Sequence, residues 1–120
     1  MIDIGGRTIP LTFSMSEFAE MEEQIGTLSL IDELLLKGKQ RIRNVVAALR
    51  ILGNAGLKAA GGTPDLTDEW LFAHTSPRRL AEYQTAIFGA INEGMAMETK
   101  EGEERDLVLE EIERKKEAGN

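Results

Sequence analysis

The sequence predicts a mainly α-helical protein, a small helical domain of about five helices with a short N-terminal β-hairpin. Three observations support this fold class. Apolar residues recur at helical spacing through residues 39–60 and form one continuous stripe that could serve as the spine of a small core. Serines typical of helix caps stand at Ser14 and Ser76. Two glycines, Gly5-Gly6, separate two short apolar runs near the N-terminus.

The hairpin is predicted over residues 1–13. Isoleucines at alternate positions precede Gly5-Gly6, and glycine supplies the positive φ angles that a two-residue turn needs. Pro10 has no N–H to donate, so we expect the second strand to lie at a sheet edge or to be bulged there. A lone hairpin is marginally stable in water, so this one should pack on the helices or on another chain.

Each predicted helix has a recognisable boundary. Ser14 and Glu17 form a capping box, in which each side chain can reach the other residue's backbone N–H. Ser76-Pro77 combines a cap with proline at the first helical position. The helices are predicted to begin at or near Ser14, Ser29, Lys39, Thr67 and Ser76 and to end near Gly26, Gly38, Gly61, Thr75 and Met97.

Composition changes after Met97. Residues 98–104 are mostly charged and include Gly102, which suggests a hinge or the end of the compact domain. Beyond them, residues 106–117 could form a further helix with a narrow apolar patch. We therefore predict a compact helical domain with its hairpin over residues 1–97, and an acidic C-terminal extension, partly helical and mobile, over residues 98–120.

The net charge of −7 disfavours nucleic acid and anionic membranes as partners. The chain has no cysteine, so neither disulfides nor thiolate metal sites can form, which suits a reducing compartment. Apolar runs are only a few residues long, so we expect neither a membrane span nor secretion. These features favour a location in the cytoplasm.

No catalytic arrangement is evident. His74 is the only histidine, and no cysteine or second histidine accompanies it, so a surface or capping role is expected. The glutamates near Glu20 lack the Glu-x-x-His pairs of di-metal bundles. Residues 65–69 do not match a calcium loop. A small hydrolase or metal enzyme is therefore disfavoured, and we expect no enzymatic activity, metal or cofactor.

Two basic clusters interrupt the acidic sequence. The first runs from Lys37 to Arg43, and the second is Arg78-Arg79. Such clusters are most often solvated helix starts. The alternative, kept open because the C-terminal segment is itself acidic, is that they dock an acidic partner segment.

Methionine-rich surfaces accept varied apolar partners, although methionine is also common as core filler. If several methionines are exposed together, a peptide-binding groove becomes credible. Adding the two leucines of the C-terminal patch, we predict that partner contact involves Met15, Met21, Met95, Met97, Leu107 and Leu109.

The order of these features resembles the tail assembly chaperones of long-tailed bacteriophages and the related small protein of gene transfer agents. The likeness covers roughly residues 7–97. Its most specific part is the pattern Phe-x-x-x-x-Phe-x-x-Met-Glu-Glu-x-Ile-Gly of residues 13–26. The segments that carry it are LTFSMSEFAEMEEQIG, RIRNVVAALRILGNAG, TPDLTDEW and LAEYQTAIFGAI.

This resemblance implies a non-enzymatic protein of the host cytoplasm that binds the long, helical tape measure protein, keeps it soluble during tail assembly and is absent from the mature virion. It leaves open the tail tube protein as a second partner, a homo-oligomer, and a longer form made by ribosomal frameshifting. It identifies no contact residues. A rival of another class is a structural tail-completion or head-to-tail connector protein, which would form rings and remain in the virion.

Overall fold

The computed structural model describes the backbone of residues 1–105 and the side chains of residues 1–96. The predicted fold class is confirmed, because five α-helices follow a two-stranded antiparallel hairpin in this part of the chain. The strands are β1 (Ile2–Ile4) and β2 (Arg7–Ile9), and the helices are α1 (Met15–Gln24), α2 (Ile31–Leu36), α3 (Arg41–Ala59), α4 (Asp68–His74) and α5 (Leu80–Arg105). Single 3-10 turns, Leu28–Leu30 and Pro77–Arg79, lead into α2 and α5.

The hairpin turns at the two predicted glycines. Gly5 and Gly6 have φ angles of 58° and 81°, which only glycine adopts without strain. The strands pair with Ile2 opposite Ile9, and both side chains are buried against the helices. The prediction that the hairpin packs on the helical body is therefore confirmed.

Side-chain caps mark the predicted helix starts. The backbone N–H of Ser14 donates to Glu17 Oε1 at 2.9 Å, and its hydroxyl donates to the same oxygen at 2.6 Å. At the start of α4, the Thr67 hydroxyl accepts from the Trp70 backbone N–H at 3.0 Å. The bonds from the Ser14 and Trp70 backbone N–H groups each satisfy a donor that the start of a helix leaves without a partner. Local sequence therefore sets where these helices begin.

Helix α3 is the spine of the core, as predicted. It contacts the four other helices and β2. Burying one large aliphatic side chain stabilises the fold by about 1.5–3 kcal/mol, so this helix contributes more than any other element. Its buried residues are Val45, Val46, Ala48, Leu49, Ile51, Leu52, Gly53 and Gly56.

Two glycines allow the segment between β2 and α1 to lie against α3 and α5. A Cβ added to Gly56 of α3 would stand 2.0 Å from the Pro10 carbonyl oxygen. One added to Gly94 of α5 would stand 2.4 Å from the Phe13 carbonyl oxygen. Gly56 and Gly94 therefore permit a close approach that a larger residue would prevent.

A stack of side chains attaches the hairpin turn to α4. The Arg7 guanidinium lies 5.3 Å from the centre of the Trp70 ring. The rings of Trp70 and His74 stack with centroids 4.3 Å apart, and His74 Nδ1 lies 2.8 Å from the Trp70 carbonyl oxygen. The Cβ of any larger residue at Gly5 would meet both rings at 3.0 Å. His74 thus has a packing role on the surface.

Helix α5 is longer than the sequence predicted. It continues to Arg105, through the charged residues 98–104 and Gly102, where a hinge or domain end was expected. Helix propensity explains the difference, since glutamate, lysine and arginine are good helix formers and a single glycine costs only about 1 kcal/mol. The helix predicted over residues 106–117 lies outside the described residues, and the division of the chain at residue 97 stays a prediction.

The glycine contacts generate a stability prediction. Replacing Gly56 with alanine should destabilise the protein by about 1–3 kcal/mol, because the new methyl group collides with the backbone at Pro10. Gly89→Ala is the matched control, since no atom lies within 4 Å of the added Cβ in α5. Alanine is the better helix former, so this variant should be up to about 1 kcal/mol more stable. Urea unfolding followed by circular dichroism measures both, and equal stability of the two variants would contradict the close approach.

Candidate functional site

The methionines predicted for partner contact do not form one surface. Met15 on α1 and Met95 on α5 are 66% and 45% exposed. Met21 is 1% exposed, so its place among the contact residues was wrong. It points from α1 into the core, because it shares the helix face of Phe18 and Ile25. Core filling, the alternative use of methionine, is what this position requires.

Three other predicted contact residues lie wholly or partly outside the part of the chain that the structure describes. The side chain of Met97 lies outside the described side chains, although its backbone belongs to α5. Leu107 and Leu109 lie outside the described residues altogether. Their role in partner contact stays a prediction.

Met15 and Met95 are each close in sequence to the contact between α5 and the segment that precedes α1. The backbone of Phe13, two residues before Met15, touches Gly94, the neighbour of Met95. Both methionines therefore flank the place where the segment entering α1 passes over α5. Met15 and Met95 are called the methionine pair below, as two separately exposed apolar side chains.

A larger apolar surface lies between α3, α4 and α5. Here the start of α3, the end of α4 and the start of α5 enclose a groove of about 360 Å³, called the α3–α5 groove below. Most of its lining is aliphatic or aromatic, and the lining includes one cation and no carboxylate. The lining residues are Arg41, Ile42, Val45, Val46, Leu49, Phe72, Thr75, Ser76, Pro77, Leu80 and Tyr83.

The groove has a rigid floor and exposed walls. Val45, Leu49 and Tyr83 in its floor are buried core residues. The Tyr83 hydroxyl accepts a hydrogen bond of 2.9 Å from the Ser76 backbone N–H, which positions the start of α5. Ile42 and Phe72 in the walls are 43% and 44% exposed. Two large apolar side chains are thus left in water beside a preformed hollow, as is typical of docking surfaces.

One cation lines the groove, and two others lie next to residues of its lining. Arg41 lines it, and the Arg43 guanidinium lies 5.8 Å from the centre of the Phe72 ring. Arg78 directly follows Pro77, which lines the groove, and is exposed. Within residues 1–96, none of these three cations has an ion-pair partner. The ion pairs found there join Arg7 with Asp65, Arg50 with Asp68 and Arg79 with Glu82.

Arg41 and Arg43 destabilise the start of α3. Arg41 and Arg43 lie in its first turn, which contains no acidic residue. The helix dipole places partial positive charge at this end, so each cation costs about 0.3–1 kcal/mol relative to a favourable charge. A charge that opposes the helix dipole in this way is typical of functional positions. An anionic ligand at the groove would remove the unfavourable interaction.

Arg79 differs from these cations because it has a partner. Its Nε and Nη2 donate to the two carboxylate oxygens of Glu82, each at 2.8 Å, and its guanidinium lies 5.2 Å from the Tyr83 ring centre. This paired hydrogen bonding lowers the pKa of Glu82 and raises the pKa of Arg79. The pair stabilises the start of α5 rather than offering a free charge to a ligand.

Among residues 1–96, no group of three His, Asp or Glu side chains is arranged to hold a metal ion. None of the helices within residues 1–105 is long and apolar enough to span a bilayer. The glutamates of α1 near Glu20 lie on its exposed face.

The sequence does not reveal the groove, because its two exposed walls fit patterns that are typical of core residues. Ile42 fits the apolar stripe of α3, and Phe72 fits the apolar face of α4. Whether the ends of those stripes are covered depends on where α5 begins relative to α3. One signal was present in the sequence, namely four cations from Lys37 to Arg43 at the start of an otherwise apolar helix.

The Arg79–Glu82 pair generates a pH prediction. Because the folded-state pKa of Glu82 is lowered, its stabilising effect is present above the ordinary glutamate pKa and is lost as pH falls through the lowered value. In a carboxyl-carbon NMR titration, Arg79→Gln should raise the Glu82 midpoint towards that of a free glutamate. Arg78→Gln, which removes a neighbouring exposed cation without an ion-pair partner in residues 1–96, should leave the midpoint nearly unchanged. Equal shifts in both variants would contradict the pair.

None of the family models, curated proteins or solved structures compared with the chain matches it. No relative therefore supplies a ligand, a partner or a set of functional residues for the α3–α5 groove. Its function has to be inferred from its own shape and chemistry.

Proposed function

We propose that this protein is a phage tail assembly chaperone, which binds the tape measure protein in the host cytoplasm and keeps it soluble until the tail is assembled. The sequence pattern of residues 13–26 supports this proposal through its resemblance to that family. The observation that carries it is the α3–α5 groove, a preformed apolar hollow on an acidic protein. The net negative charge keeps the protein soluble while the groove covers apolar side chains of the partner.

The groove is suited to the apolar face of a helix. Ile42 and Phe72 line the groove as exposed side chains, together with the buried Val45 and Leu49. A partner helix whose apolar residues recur at three- and four-residue spacing can place them in this hollow, while its polar face stays in water. A long helical protein offers many such segments, each of which would aggregate if left uncovered.

The small size of the groove favours release. It encloses about 360 Å³, near the lower end of ordinary ligand pockets. A single contact of this size buries few side chains, and association also costs translational and rotational freedom. Each contact is therefore weak alone, and several copies along one partner would be needed to hold it. A chaperone that must leave during assembly requires such weak, repeated contacts.

Co-expression with the tape measure protein of the same gene cluster tests this function. The chain should increase the soluble fraction of that protein, and Ile42→Ala with Phe72→Ala should abolish the increase because the groove walls are lost. The matched control is Met15→Ala with Met95→Ala, which truncates two exposed apolar side chains away from the groove. Both walls are more than two-fifths exposed, so the double variant should still fold, as circular dichroism would verify.

An unchanged yield of soluble tape measure protein with and without the chain would refute the chaperone role. Loss of activity only in the methionine variant would move the binding surface to the methionine pair. Mass spectrometry of purified particles separates the structural rival, since a chaperone is absent from the virion and a connector or completion protein is retained.

A further inference from the structure

A sequence that complements the α3–α5 groove exists in the same chain. Residues 106–113, DLVLEEIE, combine four apolar with four acidic residues and contain no basic one. The groove has the opposite character, with apolar walls, one arginine and no carboxylate in its lining, and a second arginine, Arg43, beside the Phe72 ring. If residues 106–113 bind as a helix, Val108, Leu109 and Ile112 share one face.

We propose that residues 106–113 of a second copy of this chain occupy the α3–α5 groove. The apolar face enters between Ile42 and Phe72. The acidic residues then lie beside Arg41, Arg43 and Arg78, the cations that have no ion-pair partner within residues 1–96. Bound carboxylates also neutralise the unfavourable charge at the start of α3, which explains why cations occupy that position.

Chain geometry requires the segment to come from another molecule. Tyr83 lines the groove, and α5 runs from there to Arg105, about 33 Å away at the rise of a helix. Ile112 is seven residues beyond Arg105, so even fully extended it reaches at most about 25 Å back. The segment therefore cannot fill the groove of its own chain while α5 is intact.

Self-association through this contact would protect the groove in the absence of a partner. Two exposed apolar walls would be covered at high protein concentration and released on dilution or by a competing apolar helix. The inference does not depend on the proposed function, since it concerns only this chain. It predicts, however, that a partner entering the groove displaces the segment.

Analytical ultracentrifugation of the full-length chain tests the contact through three samples. The wild-type chain should associate as its concentration rises. A groove variant, Ile42→Asp with Phe72→Asp, and a segment variant, Leu109→Asp with Ile112→Asp, should each associate at least about tenfold more weakly, because each buries carboxylates in an apolar contact. An equimolar mixture of the two variants should recover association, since one supplies an intact segment and the other an intact groove.

A charge exchange provides an independent test that leaves the core untouched. Arg41→Glu with Arg43→Glu should weaken association, as should Glu110→Lys with Glu111→Lys. Mixing these two double variants should restore association. High salt should weaken the wild-type contact, because screening shortens the range of exposed charges to about 3 Å at 1 M.

Three outcomes would overturn the inference. A wild-type chain that stays monomeric at every accessible concentration would show that the groove is empty or reserved for another protein. Association that survives both the groove and the segment variants would place the interface elsewhere. Failure of both mixtures to recover association would exclude a contact made between groove and segment. Failure of the tape measure protein to bind would leave these results unchanged.

Discussion

Packing around α3 is the interaction on which the rest of the structure depends. Eight residues of this helix are buried, and every other helix of residues 1–105 rests on it. The hairpin reaches it only because Gly56 lets the backbone of Pro10 come close. Since the remaining helices are short or one-sided, their stability comes from this shared contact rather than from their own hydrogen bonds.

Coverage of α3 is uneven, and this unevenness creates the candidate site. Val45 and Leu49 are buried by the core, whereas Ile42, one turn earlier, stands beside an open hollow. The start of α5 approaches close enough for Tyr83 to form the floor but not close enough to cover Phe72. The apolar stripe of α3 extends slightly beyond the elements that cover it. Its uncovered end forms the docking groove, although the residues there are of the same type as those in the core.

Charge gives this groove its chemical preference. The protein is acidic overall, yet Arg41 lines the groove, Arg43 lies beside the Phe72 ring, and Arg78 follows Pro77 of the lining. A general repulsion of acidic molecules is thus locally reversed, so that an apolar helix with acidic flanks is favoured over a neutral or basic one. The proposed partner and residues 106–113 would meet the same preference, which links the two proposals through one surface.

The sequence by itself determined the fold class, the hairpin turn and the helix starts, because these depend on neighbouring residues. Gly5 and Gly6 allow the turn, and Ser14 with Glu17 caps α1 within four residues of chain. Only the tertiary structure decided which apolar residues are exposed. Met21 and Met15 have the same chemistry and the same helix, yet one fills the core and the other lies in water. Ile42 and Phe72 are 30 positions apart in sequence and become one surface through α5. Burial depends on the placement of distant elements, which hydrophobic periodicity does not encode.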